Sequence, residues 1–153
     1  MTRTDRAARL IAAPAARIYA ALTDQDALAT WLPPDGMTGR FDLFEPSVGG
    51  SYRLILTYLD AAGSPGKATA DSDVVEARFV ELEPNSRVAQ AVDFVSDDPA
   101  YAGTMVMVWE VSEIEEGSLV EFRAEDVPDG ISADDHAAGL ASSLANLAAY
   151  VEH

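Results

Sequence analysis

The sequence predicts an α+β domain in which a curved antiparallel sheet of six to seven strands packs around one long C-terminal helix. Three features predict it: two short helical stretches after a first strand, a run of strand-period segments over residues 40–125, and a closing amphipathic stretch. Short connections between consecutive strands favour antiparallel pairing. The 153 residues contain no repeat and no long linker, so we expect one domain over 1–153.

The first strand and the two short helices come from the N-terminal part of the chain. Residues 5–12 predict the strand. Pro14 suits the first turn of a helix, because its missing N–H is not needed there, and the helix ends at Thr23–Asp24. A second short helix is predicted over Asp26–Leu32, followed at once by two prolines that cannot continue it.

The next six strands alternate apolar and charged residues. They are predicted over residues 40–44, 51–59, 73–82, 87–95, 104–113 and 118–125. We expect most mid-strand charges on the solvated face in cross-strand pairs; they are Asp42, Arg53, Glu76, Arg78, Asp93, Glu110, Glu121 and Arg123. Gln90 and Asp93 lie on opposite faces of one strand, so one of them faces inward. Gly49–Gly50 predicts a tight turn, since no Lys-Ser or Lys-Thr follows to make a phosphate loop.

The last helix has the clearest pattern. Ser132 is a good N-cap residue, and the apolar stripe is Leu140, Leu144, Leu147 and Val151. Three alanines are expected to widen the stripe: Ala137, Ala141 and Ala148. His136 stands in the first turn, where we expect a solvent-exposed residue rather than a general base.

A hollow interior follows from this layout, because one helix is too narrow to cover a wide, twisted sheet. Met and aromatic side chains shape adaptable apolar pockets, and several share one face of their strands. The predicted ligand-binding wall comprises Trp31, Tyr52, Leu54, Leu56, Tyr58, Met105, Met107, Trp109, Phe122, Leu140 and Leu144. The alternative is that these bulky residues only pack the core.

Composition excludes several classes of function. The formal net charge of −16 disfavours nucleic acid and anionic membranes, which bind proteins through Lys and Arg. The chain has no Cys and only two His, so we predict no metal site, no cofactor and no catalytic residue. Asp5, Pro14 and Arg17 interrupt what would otherwise resemble a signal peptide, which indicates a cytoplasmic protein.

Three stretches resemble the START/SRPBCC superfamily, whose members share the helix-grip fold. IAAPAARIYAALTDQDALATWLPPDGM is similar to its opening helix pair, FEPSVGGSYRLIL to its Gly-Gly turn and following strand, and DVPDGISADDHAAGLASSLANLAAYVE to its closing helix. The most similar branch contains homologues of the C-terminal domain of the heat-shock-protein-90 ATPase activator. Many of its members have Trp after the glycine of the last helix, where this chain has Leu140 after Gly139.

The resemblance implies a hydrophobic ligand-binding cavity and, in many members, homodimers. We therefore expect a non-enzymatic protein that binds a small hydrophobic molecule, aromatic or lipid-like, between the sheet and the C-terminal helix. A chaperone-interacting module is the second hypothesis, and it depends on the resemblance alone. A polyketide cyclase-like or hydrolytic enzyme is the third, and it requires acid or base residues inside the cavity. Fold alone does not choose among them.

Overall fold

A computed structural model of the chain describes residues 3–33, 37–58, 72–93, 104–128 and 130–152. The strands are β1 (Asp5–Ile11), β2 (Met37–Phe44), β3 (Ser51–Tyr58), β4 (Ser72–Glu83), β5 (Arg87–Asp93), β6 (Thr104–Ile114) and β7 (Gly117–Glu125). The helices are α1 (Ala15–Thr23), α2 (Gln25–Trp31) and α3 (Ala133–Val151). The predicted α+β helix-grip class is confirmed. The sequence also predicts loops at AAGSPGK (61–67) and DDPAYAG (97–103), and both lie outside the described residues.

All seven strands form one antiparallel sheet in the order β1-β7-β6-β5-β4-β3-β2. The first strand therefore pairs with the last, and β2 to β7 follow one another as a meander. Because β1 and β2 form opposite edges, the segment between them must cross the sheet. That segment is α1 and α2, which consequently lie over the concave face.

The three helices divide the concave face between them. The C-terminal helix α3 packs mainly along β1, with further contacts to β7 and α1. Its buried residues are Leu140, Leu144, Leu147, Ala148 and Val151. The expected alanine extension of this stripe is wrong for Ala137 and Ala141, which are exposed. A helix at the edge of the sheet buries a narrow stripe, because solvent reaches its flank.

Charged side chains cover the convex face in cross-strand pairs, as the alternation predicts. Among the described cations Arg123 has the most ion pairs: it binds Glu110 on the neighbouring strand β6, and Glu121 and Glu125 on its own strand. Further pairs join Arg87 to Glu81 and Glu110, Arg53 to Asp42 and Glu76, and Arg6 to Glu121. The hydrogen bond from Arg123 holds the pKa of the Glu110 carboxyl below its usual value, against the opposing effect of burial.

The glycine pair before β3 forms the predicted tight turn. Gly49 has a φ of +87°, in the region that favours glycine. A Cβ on Gly50 would lie 2.3 Å from the carbonyl oxygen of Glu45, so the close approach of the backbone excludes any side chain there. The turn is also bonded to β4, because the Gly49 N–H donates to the Phe79 carbonyl at 2.8 Å.

Candidate functional site

A cavity of about 170 Å³ lies between α2 and the concave face of β3 to β7. Its walls are Leu28, Trp31, Leu32, Tyr52, Leu54, Leu56, Val75, Gln90, Val92, Met107, Trp109 and Phe122. An engineered protein cavity of about 150 Å³ with similar apolar walls stays dry and binds benzene. The space therefore matches one six-membered aromatic ring with a small substituent.

The position of the cavity corrects the expectation that it lies beneath the C-terminal helix. The described residues of α3 contribute nothing to its walls. The leucines of α3 fill the space over β1 and β7, and the short helix α2 covers the remaining hollow. Hydrophobic period alone does not predict this arrangement, because it shows which face a helix buries but not which strands lie beneath it.

Aromatic rings form one end of the cavity. The rings of Trp109 and Phe122 stack with centroids 3.6 Å apart, and Trp31 meets Trp109 edge-on at 5.6 Å. The Trp31 indole N–H donates to the Ala21 carbonyl at 2.9 Å. Because that donor is already paired within the helical layer, the wall offers an aromatic surface rather than a polar group.

Two polar side chains meet within the apolar wall. The Tyr52 hydroxyl donates to Gln90 Oε1 at 3.3 Å, and both residues are buried, with exposures of 5% and 7%. Burial raises the pKa of Tyr52, so its hydroxyl stays protonated and acts as a donor. Of the two residues on opposite faces of β5, Gln90 is the one that lines the cavity, while the side chain of Asp93 lies outside the described part.

Seven of the eleven residues named from the sequence line the cavity: Trp31, Tyr52, Leu54, Leu56, Met107, Trp109 and Phe122. Met105 instead packs with Ala124 and Val127 near the start of β6. Leu140 and Leu144 lie on the buried face of α3 and belong to the core, because that helix packs over the β1 edge of the sheet. The side chain of Tyr58 lies outside the described residues.

The predicted wall lacks four residues that line the cavity, and it left Gln90 as one of two alternatives; the four are Leu28, Leu32, Val75 and Val92. Strand pairing supplies the signal for three of these five. Val75 stands opposite Leu54, and Gln90 stands opposite Met107, so each shares a face with a residue that was named. Val92 lies two residues beyond Gln90 on the same face. Leu28 on α2 and Leu32 directly after it can be assigned to the wall only once the position of that helix over the sheet is known.

A second, more open cleft of about 300 Å³ borders α3. It is lined by Leu32, His136, Gly139, Leu140, Ser142, Ser143 and Asn146. Leu32 borders both spaces. Leu140, which stands where many members of the branch have Trp, lies beside this cleft and not in the wall of the main cavity.

His136 is not the free surface residue expected at a first helical turn. Its side chain is only 13% exposed, and its Nδ1 lies 2.8 Å from Asp5 Oδ2. Arg3 binds both oxygens of Asp5, at 3.1 and 3.0 Å, and also donates to the Ile131 carbonyl. Burial raises the pKa of Asp5, but the hydrogen bonds and charges of Arg3 and His136 outweigh it and leave this pKa below its usual value. The cluster joins β1 to the start of α3.

Comparison with known proteins agrees with this architecture. The family model described as "Activator of Hsp90 ATPase homolog 1-like protein" matches residues 12–152. A crystal structure of a protein from Chromobacterium violaceum is 30% identical, with a TM-score of 0.83, over 98% of this chain and 97% of that one. An AHSA1-like protein from Aeromonas hydrophila, solved by NMR, is 18% identical, with a TM-score of 0.72, over 99% and 92%. No protein of curated function matches the chain.

A protein from Mesorhizobium loti has the same fold, with 18% identity and a TM-score of 0.75 over 98% of this chain and 97% of that one. None of the described helices has the length and apolar character needed to cross a bilayer. The match over residues 12–152, with the helix-grip architecture, settles the classification. The chain belongs to the family of Hsp90 ATPase activator homolog 1-like proteins, within the START/SRPBCC superfamily.

Proposed function

We propose that the protein binds a small hydrophobic molecule, about the size of one aromatic ring, in the cavity between α2 and the sheet. The observation that carries the proposal is a partly open space of about 170 Å³ whose described wall residues are apolar except for Tyr52 and Gln90. Natural protein interiors are close-packed, with few voids larger than a water molecule. An apolar recess of this size, partly open to solvent, therefore favours a guest over a packing defect. Its volume favours a single ring over a long-chain lipid.

The expected affinity follows from the volume. Unfilled volume in an enclosed cavity costs about 24 cal/mol per Å³. Because this space is partly open to solvent, the value of about 4 kcal/mol that 170 Å³ would give is an upper limit. A guest that fills it without any polar contact recovers at most that amount. This corresponds to a Kd of about 1 mM. A tighter complex requires a specific polar contact in addition.

A titration with toluene tests the proposal, read by NMR of methyl-labelled methionine. Met107 lines the cavity, whereas Met37 does not and serves as the internal control. We expect a saturable shift of the Met107 methyl signal with Met37 unchanged. Equal small shifts at both methyls, or none up to the solubility of toluene, would contradict the proposal.

The family description supplies a second candidate, a module that stimulates a chaperone ATPase. The net charge of −16 disfavours docking to an acidic partner and favours a basic one. Addition of the protein to an Hsp90-type chaperone, with ATP hydrolysis as the readout, tests this candidate. An unchanged hydrolysis rate at saturating protein would remove it.

Acid–base catalysis in the cavity has less support than binding. Of the described wall residues, Tyr52 is the only one with a titratable side chain, and its raised pKa keeps it neutral.

Cytoplasmic location and a homodimer belong to the proposal as well. Light scattering across a dilution series tests the dimer, and a single monomer mass throughout would remove it.

A further inference from the structure

The side-chain amide of Gln90 is the most unusual group in the cavity wall. It stands in the middle of β5, with Phe79 opposite on one neighbouring strand and Met107 opposite on the other. Only 7% of the residue is exposed. Placing an amide among apolar side chains costs free energy unless its donors and acceptor are paired. Leu or Met would fill the same space without that cost.

The hydrogen bond from Tyr52 determines how the amide is oriented. A buried phenol needs an acceptor for its proton, and Gln90 Oε1 takes that role at 3.3 Å. The amide oxygen is thereby directed to Tyr52. The nitrogen, Nε2, carries two protons and is the polar group of Gln90 left for a partner in the cavity. The Trp31 indole N–H does not compete, because it already binds the Ala21 carbonyl.

We propose that the cavity is specific for a neutral one-ring compound that carries a carbonyl, such as an aryl ketone or aldehyde, whose oxygen accepts a hydrogen bond from Gln90 Nε2. This inference rests on the proposed function. A carbonyl oxygen only accepts hydrogen bonds, which matches the Nε2 donor, whereas an alcohol must also place its proton on a free lone pair of Gln90 Oε1 or of the Tyr52 hydroxyl oxygen. A carboxylate is disfavoured, because the described wall residues include no cation to balance a buried charge.

Acetophenone and α-methylstyrene form the matched pair of probes, because they differ only in C=O against C=CH2. Their dissociation constants are measured by calorimetry for the wild-type chain and for Gln90→Leu. We expect Gln90→Leu to weaken acetophenone relative to α-methylstyrene by about fivefold to tenfold. Comparing the ratio between the two proteins cancels the difference in hydrophobicity between the probes.

Gln25→Leu is the control, because Gln25 is exposed at the start of α2 and does not line the cavity. It should leave the ratio unchanged. If Gln90→Leu does not fold because the Tyr52 hydroxyl loses its acceptor, the double variant Tyr52→Phe/Gln90→Leu replaces it. Removing both partners of a buried hydrogen bond is close to neutral for stability.

The outcomes separate this inference from the proposed function. If neither probe binds the wild-type chain, binding of a one-ring guest is itself wrong. If both bind and Gln90→Leu leaves their ratio unchanged, the cavity binds guests but Gln90 does not select a carbonyl. If 1-phenylethanol binds more tightly than acetophenone, the choice of a carbonyl is overturned.

Discussion

Filling the cavity from its wall is the most direct test of whether it is a real void. Val92 is half-buried and lines the space near the end of β5. Its neighbours in register are Ala77 on β4 and Met105 on β6. Because Val92 itself lines the cavity, a larger side chain at this position extends into that space. We therefore choose Val92→Phe.

The magnitude follows from the volumes. Replacing Val by Phe adds roughly 50 Å³, and at about 24 cal/mol per Å³ of void removed this returns about 1 kcal/mol. From an initial value of about 170 Å³, this leaves roughly 120 Å³, which is less than the cavity of about 150 Å³ that binds benzene. We expect Val92→Phe to keep or raise the free energy of unfolding, by up to about 1 kcal/mol. Toluene binding should disappear.

Val88→Phe is the matched control. Val88 lies on the same face of β5, four residues earlier, but it is fully buried and does not line the cavity. The same enlargement there overpacks the core and should cost about 1–3 kcal/mol. Urea denaturation and the toluene titration measure both variants. A loss at Val92→Phe as large as that at Val88→Phe would show that position 92 faces packed atoms, and the cavity reasoning would fail.

Three further predictions concern stability. Asp5→Asn should lower the free energy of unfolding by about 1–3 kcal/mol at pH 7. Because the native pKa of Asp5 is lowered, the gap in unfolding free energy between the wild-type chain and the variant, measured by urea denaturation, should narrow as pH falls below about 3.8. A constant difference down to pH 2 would contradict it. Gly139→Ala should raise the free energy of unfolding by about 0.5–1 kcal/mol, because a Cβ there meets nothing within 4 Å. Gly50→Ala should lower it, because a Cβ there would meet the Glu45 backbone; differential scanning calorimetry measures both variants. Arg123→Met should destabilise by about 1–3 kcal/mol at low salt and by less in 1 M NaCl, and a salt-independent loss would exclude an ionic origin.

The features predicted correctly from the sequence are those that depend on local patterns, such as the alternation of apolar and polar residues. Alternation placed Tyr52, Leu54 and Leu56 on the inner face and Arg53 on the outer face. Caps and breakers located the ends of the helices, and Asp24 and Ser132 accept backbone N–H bonds at those ends. These features are local, so no knowledge of the tertiary arrangement was needed.

The errors concern relations across the chain. The burial of His136 depends on Asp5, which is 131 residues away, and no local pattern connects them. The cavity was assigned to α3 because that helix has the longest apolar stripe. The crossing of α1 and α2 from β1 to β2 follows from the pairing of β1 with β7, which the element order alone left undetermined. Once that pairing is known, the place of α2 above β3 to β7 becomes a consequence of topology.

The two candidate functions can be separated with the variant that fills the cavity. A chaperone contact uses the protein surface, and Val92→Phe changes an inner wall residue between α2 and the sheet. If the wild-type chain stimulates a chaperone ATPase, equal stimulation by Val92→Phe would assign that activity to the surface and leave ligand binding as a separate property. Stimulation lost with Val92→Phe but kept with the exposed-site variant Gln25→Leu would instead show that the cavity must be open or occupied for the chaperone contact. In that case the guest would act as a regulator, because a ligand shifts a conformational equilibrium only through its different affinity for the two states.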